Sequence, residues 1–185
     1  MNLINYINDK KITNKKLSNY TDWHVRQAVR AVLQNERKQI ALMHIGEYNV
    51  YKLPGGGVEE GESLDFAFIR EIKEETGCEA EKISNLGIYI EKRDEWKMFQ
   101  ISHCYFARVT KVGVIKLDEA EQKEKFTLHW VDGIKEAIKL VKSNKSDRYD
   151  DKYIKNRDLA ILKMAKKSLI PFEYLPENKV EIKTN

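Results

Sequence analysis

The chain has 185 residues, of which 42% are hydrophobic and 34% are charged, and its formal net charge is +4. This length suits one domain with a full core, and this composition is typical of a soluble globular protein. No apolar run approaches the roughly 20 residues that span a bilayer. Residues 1–20 also lack the apolar segment that secretion signals carry. We therefore expect neither a membrane protein nor a secreted one.

Cysteine content and charge narrow the range of partners. The cysteines are Cys78 and Cys104, without the Cys-x-x-Cys spacing of zinc or redox motifs. A zinc site or a disulfide framework is not expected, and the predicted location is the reducing cytoplasm. The mild positive charge would attract polyphosphates but does not indicate nucleic-acid binding, so a nucleic-acid partner is not expected. The sequence does not determine the oligomeric state, and a homodimer stays open.

The predicted elements begin after a polar segment. We interpret residues 1–20 as an N-terminal extension with at most a short strand or arm. Alternating apolar residues then predict a β-hairpin of strands 25–33 and 39–45, joined by a turn at 35–38. The remaining predicted elements, in chain order, are strand 50–53, helix 64–76, strands 83–91, 97–109 and 126–131, and helices 133–143 and 151–168.

These elements predict the fold class. A mixed sheet with helices on either side is an α/β/α sandwich. We expect Trp130 to lie in its core and Pro171 to end the last helix. The predicted domain covers residues 21–170, between the extension and a C-terminal tail at 171–185.

The helix predicted at 64–76 follows a glycine-rich turn and carries a dense set of charges. Ser63 is a good N-cap and Gly77 a good residue to end the helix. Glu71 lies three residues before Glu74 and four before Glu75, so the three carboxylates are neighbours on the helix surface and repel one another. A cation must offset this repulsion, and the candidates are Arg70, four residues before Glu74, and a divalent metal ion.

The helical repeat also places acids beside apolar residues. At 3.6 residues per turn, Glu71 and Glu75 share a broad arc with Leu64 and Phe68, among other apolar residues. Residues 66 and 69, both apolar, point the other way, which predicts a helix packed on two sides. The acids would then lie at the rim of a cleft. The alternative is a solvated surface helix with a run of acids.

The spacing of the charged residues carries a specific resemblance. Five residues separate Gly56 from Glu62 and seven more separate Glu62 from Arg70, after which the chain reads Arg-Glu-Ile-Lys-Glu-Glu-Thr-Gly-Cys. This resembles the signature of the Nudix hydrolases at every charged and glycine position. Cys78 stands where that family has an aliphatic residue, and a free cysteine behaves as a small hydrophobe. The family's fold is an α/β/α sandwich, in agreement with the predicted elements.

The resemblance implies roles for the signature residues. It implies that the metal ligands are Glu71, Glu74, Glu75 and the carbonyl of Gly56. It implies that Arg70 orients Glu74 and that Glu62 supports the loop or the metal–water network. Carboxylate and carbonyl oxygens suit Mg²⁺, with Mn²⁺ as the alternative, and disfavour zinc.

The general base is not fixed by the signature. Glu71 is one candidate, and an acid outside the signature is another. Three acids, Asp118, Glu119 and Glu121, precede the strand at 126–131, where some relatives place such a residue. We favour Glu119 or Glu121, although a solvated run of loop acids is an equal alternative.

Substrate choice depends on residues outside the signature. Candidate substrate-binding residues are Arg26, Tyr51 and Lys52. Residues 91–93 lack the proline of ADP-sugar pyrophosphatases, and residues 94–96 lack the tyrosine of dinucleoside-polyphosphate hydrolases. By elimination, the resemblance implies hydrolysis of a (deoxy)nucleoside triphosphate to the monophosphate and pyrophosphate. The alternatives are a non-catalytic nucleotide-binding regulatory module and a 5′-end RNA pyrophosphohydrolase, which would need a basic groove.

Overall fold

The structure is a computed structural model that describes residues 2–14 and 21–173, with side chains as far as 168. Seven strands and five helices are present in these ranges. In chain order they are β1 (Leu3–Asn8), α1 (Asp9–Thr13), β2 (His24–Gln34), β3 (Ile40–Ile45), β4 (Val50–Lys52), α2 (Leu64–Thr76), β5 (Cys78–Arg93), β6 (Met98–Val112), α3 (Glu119–Lys123), β7 (Phe126–Val131), α4 (Gly133–Ser143) and α5 (Tyr149–Glu173).

The strands form one mixed sheet with the order β1-β5-β6-β2-β3-β4, and β7 pairs with β3. The β1–β5 and β2–β6 pairs are parallel, and the other pairs are antiparallel. Successive side chains of a strand point to opposite faces. Val29 and Ala31 of β2 accordingly join a core cluster with Phe68 of α2, whereas Val32 joins a second cluster with Tyr153 of α5. Helices therefore cover both faces, which confirms the predicted α/β/α sandwich.

The N-terminal segment packs on this sheet. Strand β1 pairs with the edge of β5, from Leu3 opposite Ile88 onwards. At its end the buried carboxylate of Asp9 accepts hydrogen bonds of 2.6 Å from the hydroxyls of both Tyr149 and Tyr153. Residues 3–9 thus contribute an edge strand and a buried anchor, while residues 15–20 of the predicted extension lie outside the described part of the chain.

Most predicted elements are present, with differences that have physical causes. Strands β5 and β6 extend beyond their predicted bounds. The β5–β6 pairing shifts register three times between Glu79 and Gly87. Each such irregularity interrupts the alternation from which strand length is predicted. Helix α3 was not predicted; it is a single short turn held by a capping box between Asp118 and Glu121.

Three expectations about packing and helix ends need correction. Phe66 and Ile69 of α2 are 70% and 56% exposed, so the prediction that this helix is packed on two sides is wrong. The helix contacts the sheet with one face only. Trp130 is half-buried at the margin of the α2 cluster rather than in the core. Helix α5 runs past Pro171 to Glu173, so Pro171 does not end it. The fixed φ of proline lies in the helical range and permits this continuation. The tail beyond 173 lies outside the described residues.

Within the part of the chain that the structure describes, none of the helices has the length and apolar character needed to cross a bilayer.

The cap of α2 gives a first testable prediction. Ser63 accepts a hydrogen bond from the backbone N–H of Phe66 at 3.2 Å. We expect Ser63→Ala to lower the free energy of unfolding by about 1 kcal/mol, since an N-cap hydroxyl satisfies an otherwise unpaired helix donor. Urea titration measures this loss. Ser168→Ala is the control, because its exposed hydroxyl bonds only within α5. Equal stability of the two variants would contradict the prediction.

Candidate active site

The glycine turn and α2 bring buried carboxylates together. Helix α2 begins at the Ser63 cap and ends at Gly77, whose φ of +69° is left-handed. This register turns Glu71 and Glu75 toward the sheet, where they are 8% and 1% exposed. The side chain of Glu74 is 44% exposed at the rim. Two acids are therefore removed from water below residues 55–57, which is costly unless cations or donors compensate.

Arg70 links the acids to the turn. Its Nε and Nη2 donate to the two oxygens of Glu62, each at 2.9 Å. Its Nη1 donates to Glu71 at 2.8 Å and to Glu74 at 3.2 Å. Its Nη2 also donates to the carbonyl oxygen of Gly57 at 2.9 Å. The predicted contact with Glu74 is present, and the same guanidinium also holds Glu62 and Glu71. Arg70 thereby fixes the mutual positions of three carboxylates.

Glu75 is held from the opposite side. One of its oxygens pairs with Lys52 Nζ at 2.7 Å, and the other accepts the backbone N–H of Gly55 at 2.6 Å. Burial raises the pKa of Glu71, and the charge of Glu75 raises it further, against the opposing effect of Arg70. Additional positive charge beside Glu71 would therefore favour its ionised form.

The donor set fits a divalent cation in its chemistry. A Cβ at Gly56 would lie 2.3 Å from Oε1 of Glu71, so any larger residue there would displace this carboxylate. The oxygens of Glu71, Glu74 and Glu75 are hard ligands of the type Mg²⁺ prefers. The Gly56 carbonyl already accepts hydrogen bonds from the N–H of Val29 and from Arg30, both at 3.0 Å, which makes it the weakest predicted ligand. In the described residues, no group of three or more His, Cys, Asp or Glu side chains is arranged for metal binding.

The two favoured base candidates differ in position. Glu121 is half-buried, and burial raises its pKa to about 7, with the charge of Glu75 adding to the increase. Its side chain accepts the backbone N–H of Asp118, which fixes its direction. Glu119 is exposed. The fold therefore brings Glu121, and not Glu119, within electrostatic reach of Glu75.

The three predicted substrate-binding residues also differ in position. Arg26 and Lys52 line a cavity of about 240 Å³ on the α5 side of the sheet, adjoining the glycine turn. Tyr51 is not part of this lining; its ring lies 4.6 Å from that of His44 and 5.7 Å from that of His129. Tyr51 packs instead against the core cluster that contains Val32 and Tyr153, and Asn144 binds both its backbone N–H and its carbonyl oxygen.

Arg30 is a cavity residue that the sequence analysis missed. It lies on β2, four residues after Arg26 and on the same face, and both side chains line the cavity. Burial, together with the charge of Arg157, lowers the pKa of Arg30 to about 9. Two arginines at even spacing on a predicted strand were the signal that could have found it.

Comparison with known proteins identifies the family. The family model described as the NUDIX domain matches residues 24–149. The chain belongs to the Nudix family. The resemblance drawn from the signature is thus confirmed. The match also covers β2 to β7 and the start of α5, so it includes the cavity side of the sheet as well as the acidic helix.

Individual Nudix relatives differ in name. Over 84 residues the chain is 36% identical to a putative 8-oxo-dGTP diphosphatase of Bacillus subtilis (strain 168), covering 45% of this chain and 54% of that protein. Over 135 residues it is 32% identical to an ADP-ribose pyrophosphatase of Methanocaldococcus jannaschii, covering 70% of this chain and 79% of that protein. The chain therefore spans about half the length of the first relative and most of the second.

A solved structure supports the fold. A NUDIX hydrolase from Nitrosomonas europaea superposes with a TM-score of 0.53 at 22% identity, covering 72% of this chain and 89% of that chain. At this identity the likeness concerns the fold alone.

Proposed function

We propose that this Nudix protein is a Mg²⁺-dependent pyrophosphohydrolase that cuts the pyrophosphate bond of a nucleoside diphosphate linked to another moiety. The proposed substrate is a (deoxy)nucleoside triphosphate, which yields the monophosphate and pyrophosphate. The observation that carries the proposal is the burial of Glu71 and Glu75 directly below the glycine turn, beside a cavity lined by cations. Buried acids and adjacent cations are the arrangement that a metal-bound polyphosphate needs.

The residues have distinct tasks in this proposal. Glu71, Glu74 and Glu75 would hold Mg²⁺, or Mn²⁺ as the alternative. The chemistry supplied by such a cation is neutralisation of the pyrophosphate oxygens and a lower pKa of the attacking water. Arg70, anchored by Glu62, keeps the acids in place.

The remaining groups act on the proton and on the phosphates. Glu121 accepts the proton of the attacking water, because a carboxylate with a raised pKa is an effective base near neutral pH. Lys52 and Arg26 bind the phosphates from the cavity side. Most of the catalysis is then positioning and electrostatic stabilisation, as in other phosphoryl transfers.

The names of the relatives support two substrate classes, nucleoside triphosphates and nucleoside diphosphate sugars. The Bacillus subtilis relative is named for a nucleoside triphosphate, and the Methanocaldococcus jannaschii relative is named for a nucleoside diphosphate sugar. The absence of proline from residues 91–93 favours the triphosphate.

A nucleotide panel tests the proposed function. The purified protein is incubated with Mg²⁺ and ribo- and deoxynucleoside triphosphates, 8-oxo-dGTP, ADP-ribose and dinucleoside polyphosphates, and phosphate and pyrophosphate release are measured separately. We expect pyrophosphate release from a triphosphate. Mn²⁺ in place of Mg²⁺ is expected to retain activity, and removal of metal with EDTA to abolish it. Failure to turn over any substrate with either metal would reject the proposal.

The pH dependence tests the general base. A base must be deprotonated to act, and the pKa of Glu121 is raised to about 7, so activity is expected to fall as the pH drops through about 7. A cation bound at the neighbouring acids would lower this pKa and shift the fall to lower pH. We expect Glu121→Gln to lose about 10²- to 10⁴-fold in kcat.

The matched control is Glu119→Gln, which removes an exposed acid from the same helix. It is expected to keep both the rate and the pH profile. If the fall in activity at low pH disappeared in the Glu119 variant and persisted in the Glu121 variant, the base would be Glu119, and the assignment to Glu121 would be wrong. An unchanged profile in both variants would instead favour Glu71.

A further inference from the structure

The cavity beside the glycine turn is lined by more cations than acids, since six cationic residues face three acidic ones, Glu124, Asp150 and Asp151. Its cationic lining residues are Arg26, Arg30, Lys52, Arg93, Arg148 and Arg157. Four of these six have carboxylate partners: Lys52 pairs with Glu75, Arg93 with Glu91 and Asp150, Arg148 with Asp151, and Arg157 with Asp158 and Glu91. Arg26 and Arg30 form no ion pair with any residue in the described ranges.

Arg30 is buried with incomplete hydrogen bonding. It is 6% exposed, and its Nη1 donates to the carbonyl oxygens of Val29 at 2.6 Å and Gly56 at 3.0 Å. Its buried Nε has no partner. The charges of Asp158 and Glu75 act on Arg30 from a distance, but no carboxylate among the described residues contacts it. Removing a guanidinium from water without a directly bound anion is costly, so the site favours an anion beside it.

Arg26 lies next to it and also has no carboxylate within ion-pair distance in the described ranges. Its Nη1 donates to the neutral side chain of Gln100. Its Nη2 is 2.7 Å from the position that a Cβ on Gly57 would occupy, so the guanidinium lies directly under the turn. The charges of both arginines act on Glu71. The two unpaired cations therefore lie between the proposed cleavage site and the interior of the cavity.

The cavity is poorly suited to a nucleobase. Phe126 is the only aromatic residue among the described lining residues, and Lys52 Nζ already lies 4.7 Å from the centroid of its ring. A base would also leave the two guanidiniums without an anion. A phosphate group, with oxygens that accept from planar guanidinium donors, matches both observations.

We propose that this cavity receives the terminal phosphate of the substrate through Arg26 and Arg30, so that the enzyme selects nucleoside triphosphates over nucleoside diphosphates that end in an uncharged sugar. This inference rests on the proposed function and names the substrate class of the same site. Arg26 is its specificity-determining residue, and Arg30 forms the floor of the phosphate site.

The kinetic test compares substrates in wild type and in Arg26→Gln. We expect wild type to have a kcat/KM for its best nucleoside triphosphate at least about 10-fold above that for ADP-ribose. Loss of one charge-assisted hydrogen-bonding group lowers kcat/KM for the triphosphate about 10- to 100-fold. The change for ADP-ribose is expected to stay below about 3-fold. Arg26 is half-buried on the cavity wall, so glutamine fits without unfolding the strand.

Arg148→Gln is the matched control, since it removes the same charge from an exposed cavity residue that already has a carboxylate partner. It is expected to change both substrates equally. A preference of wild type for ADP-ribose, or an equal loss for both substrates in Arg26→Gln, would overturn the inference and leave the proposed hydrolysis intact.

A binding measurement separates the inference from catalysis. Calorimetry in metal-free buffer compares inorganic tripolyphosphate with adenosine, which carries no phosphate. We expect wild type to bind tripolyphosphate at least about 10-fold more tightly than Arg26→Gln does, because the lost hydrogen bonds are charge-assisted. Any adenosine affinity is expected to be the same for both proteins. No binding of tripolyphosphate to wild type, or a loss confined to adenosine, contradicts a phosphate site. If no nucleotide is hydrolysed, the proposed function fails while this measurement still tests the cavity.

Discussion

Replacing Glu75 with glutamine is expected to lower kcat at least about 10³-fold, because the variant removes a full charge from the proposed metal ligands and from the transition state that they stabilise. Glu75 is the most buried of the three signature acids on α2, at 1% exposure. Its charge is therefore less screened by water than that of Glu74 at the rim. Steady-state kinetics with the best substrate of the nucleotide panel measures the loss.

The fold is expected to survive this change. Glutamine retains an oxygen that can accept the backbone N–H of Gly55. Lys52 loses its carboxylate partner but still lies at the cavity and over the ring of Phe126. Circular dichroism and a urea titration establish that the variant is folded. Weaker Mn²⁺ binding by the folded variant would assign the loss to the metal ligands.

Glu79→Gln is the control for this prediction. Glu79 is exposed on β5 and pairs only with Lys111 among the described residues. It is expected to retain wild-type kcat and metal binding. If the Glu75 variant turned over substrate as fast as this control, the role given to α2 would be wrong.

The acidic helix was predictable because its information is local. The cap at Ser63, the end at Gly77 and the neighbouring positions of Arg70 and the glutamates all follow from spacings within 15 residues. The 3.6-residue period also placed Glu71 and Glu75 on the sheet-facing side correctly. Such short-range rules determine which side chains share a helix face, and they do not require the rest of the fold.

The helical period does not indicate which elements pack against each face of α2. Phe66 and Ile69 have the composition of packed residues and are nevertheless exposed. Apolar side chains are common on protein surfaces, so composition alone does not decide burial. A helical projection gives the relative direction of side chains, whereas their burial depends on the neighbouring elements.

The cavity could not be predicted because it is assembled from distant segments. Gln100 on β6 lies opposite Arg26 on β2 and opposite Glu91 on β5. Arg157 reaches the same place from α5. These residues are separated by tens of positions in the chain, and register irregularities in β5 hide which of its residues face α5.

Glu91→Gln is expected to lower the free energy of unfolding by about 3–5 kcal/mol, because it leaves buried arginines without their shared counter-charge. Glu91 is fully buried and pairs with Arg93 at 2.9 Å and Arg157 at 3.8 Å.

Burial acts to raise the pKa of Glu91, but the charges of Arg157 and Arg93 outweigh burial and hold this pKa below 4.5. The stabilisation is thus present above pH 4.5 and is lost as the pH falls through the lower, folded-state pKa. Urea titrations at pH 7 and below pH 4.5 should show the gap between wild type and variant narrowing. Glu81→Gln, an exposed change on the same strand, is expected to stay within about 0.5 kcal/mol. A Glu91 variant as stable as this control would mean that Asp158 and Asp150 alone compensate the two arginines.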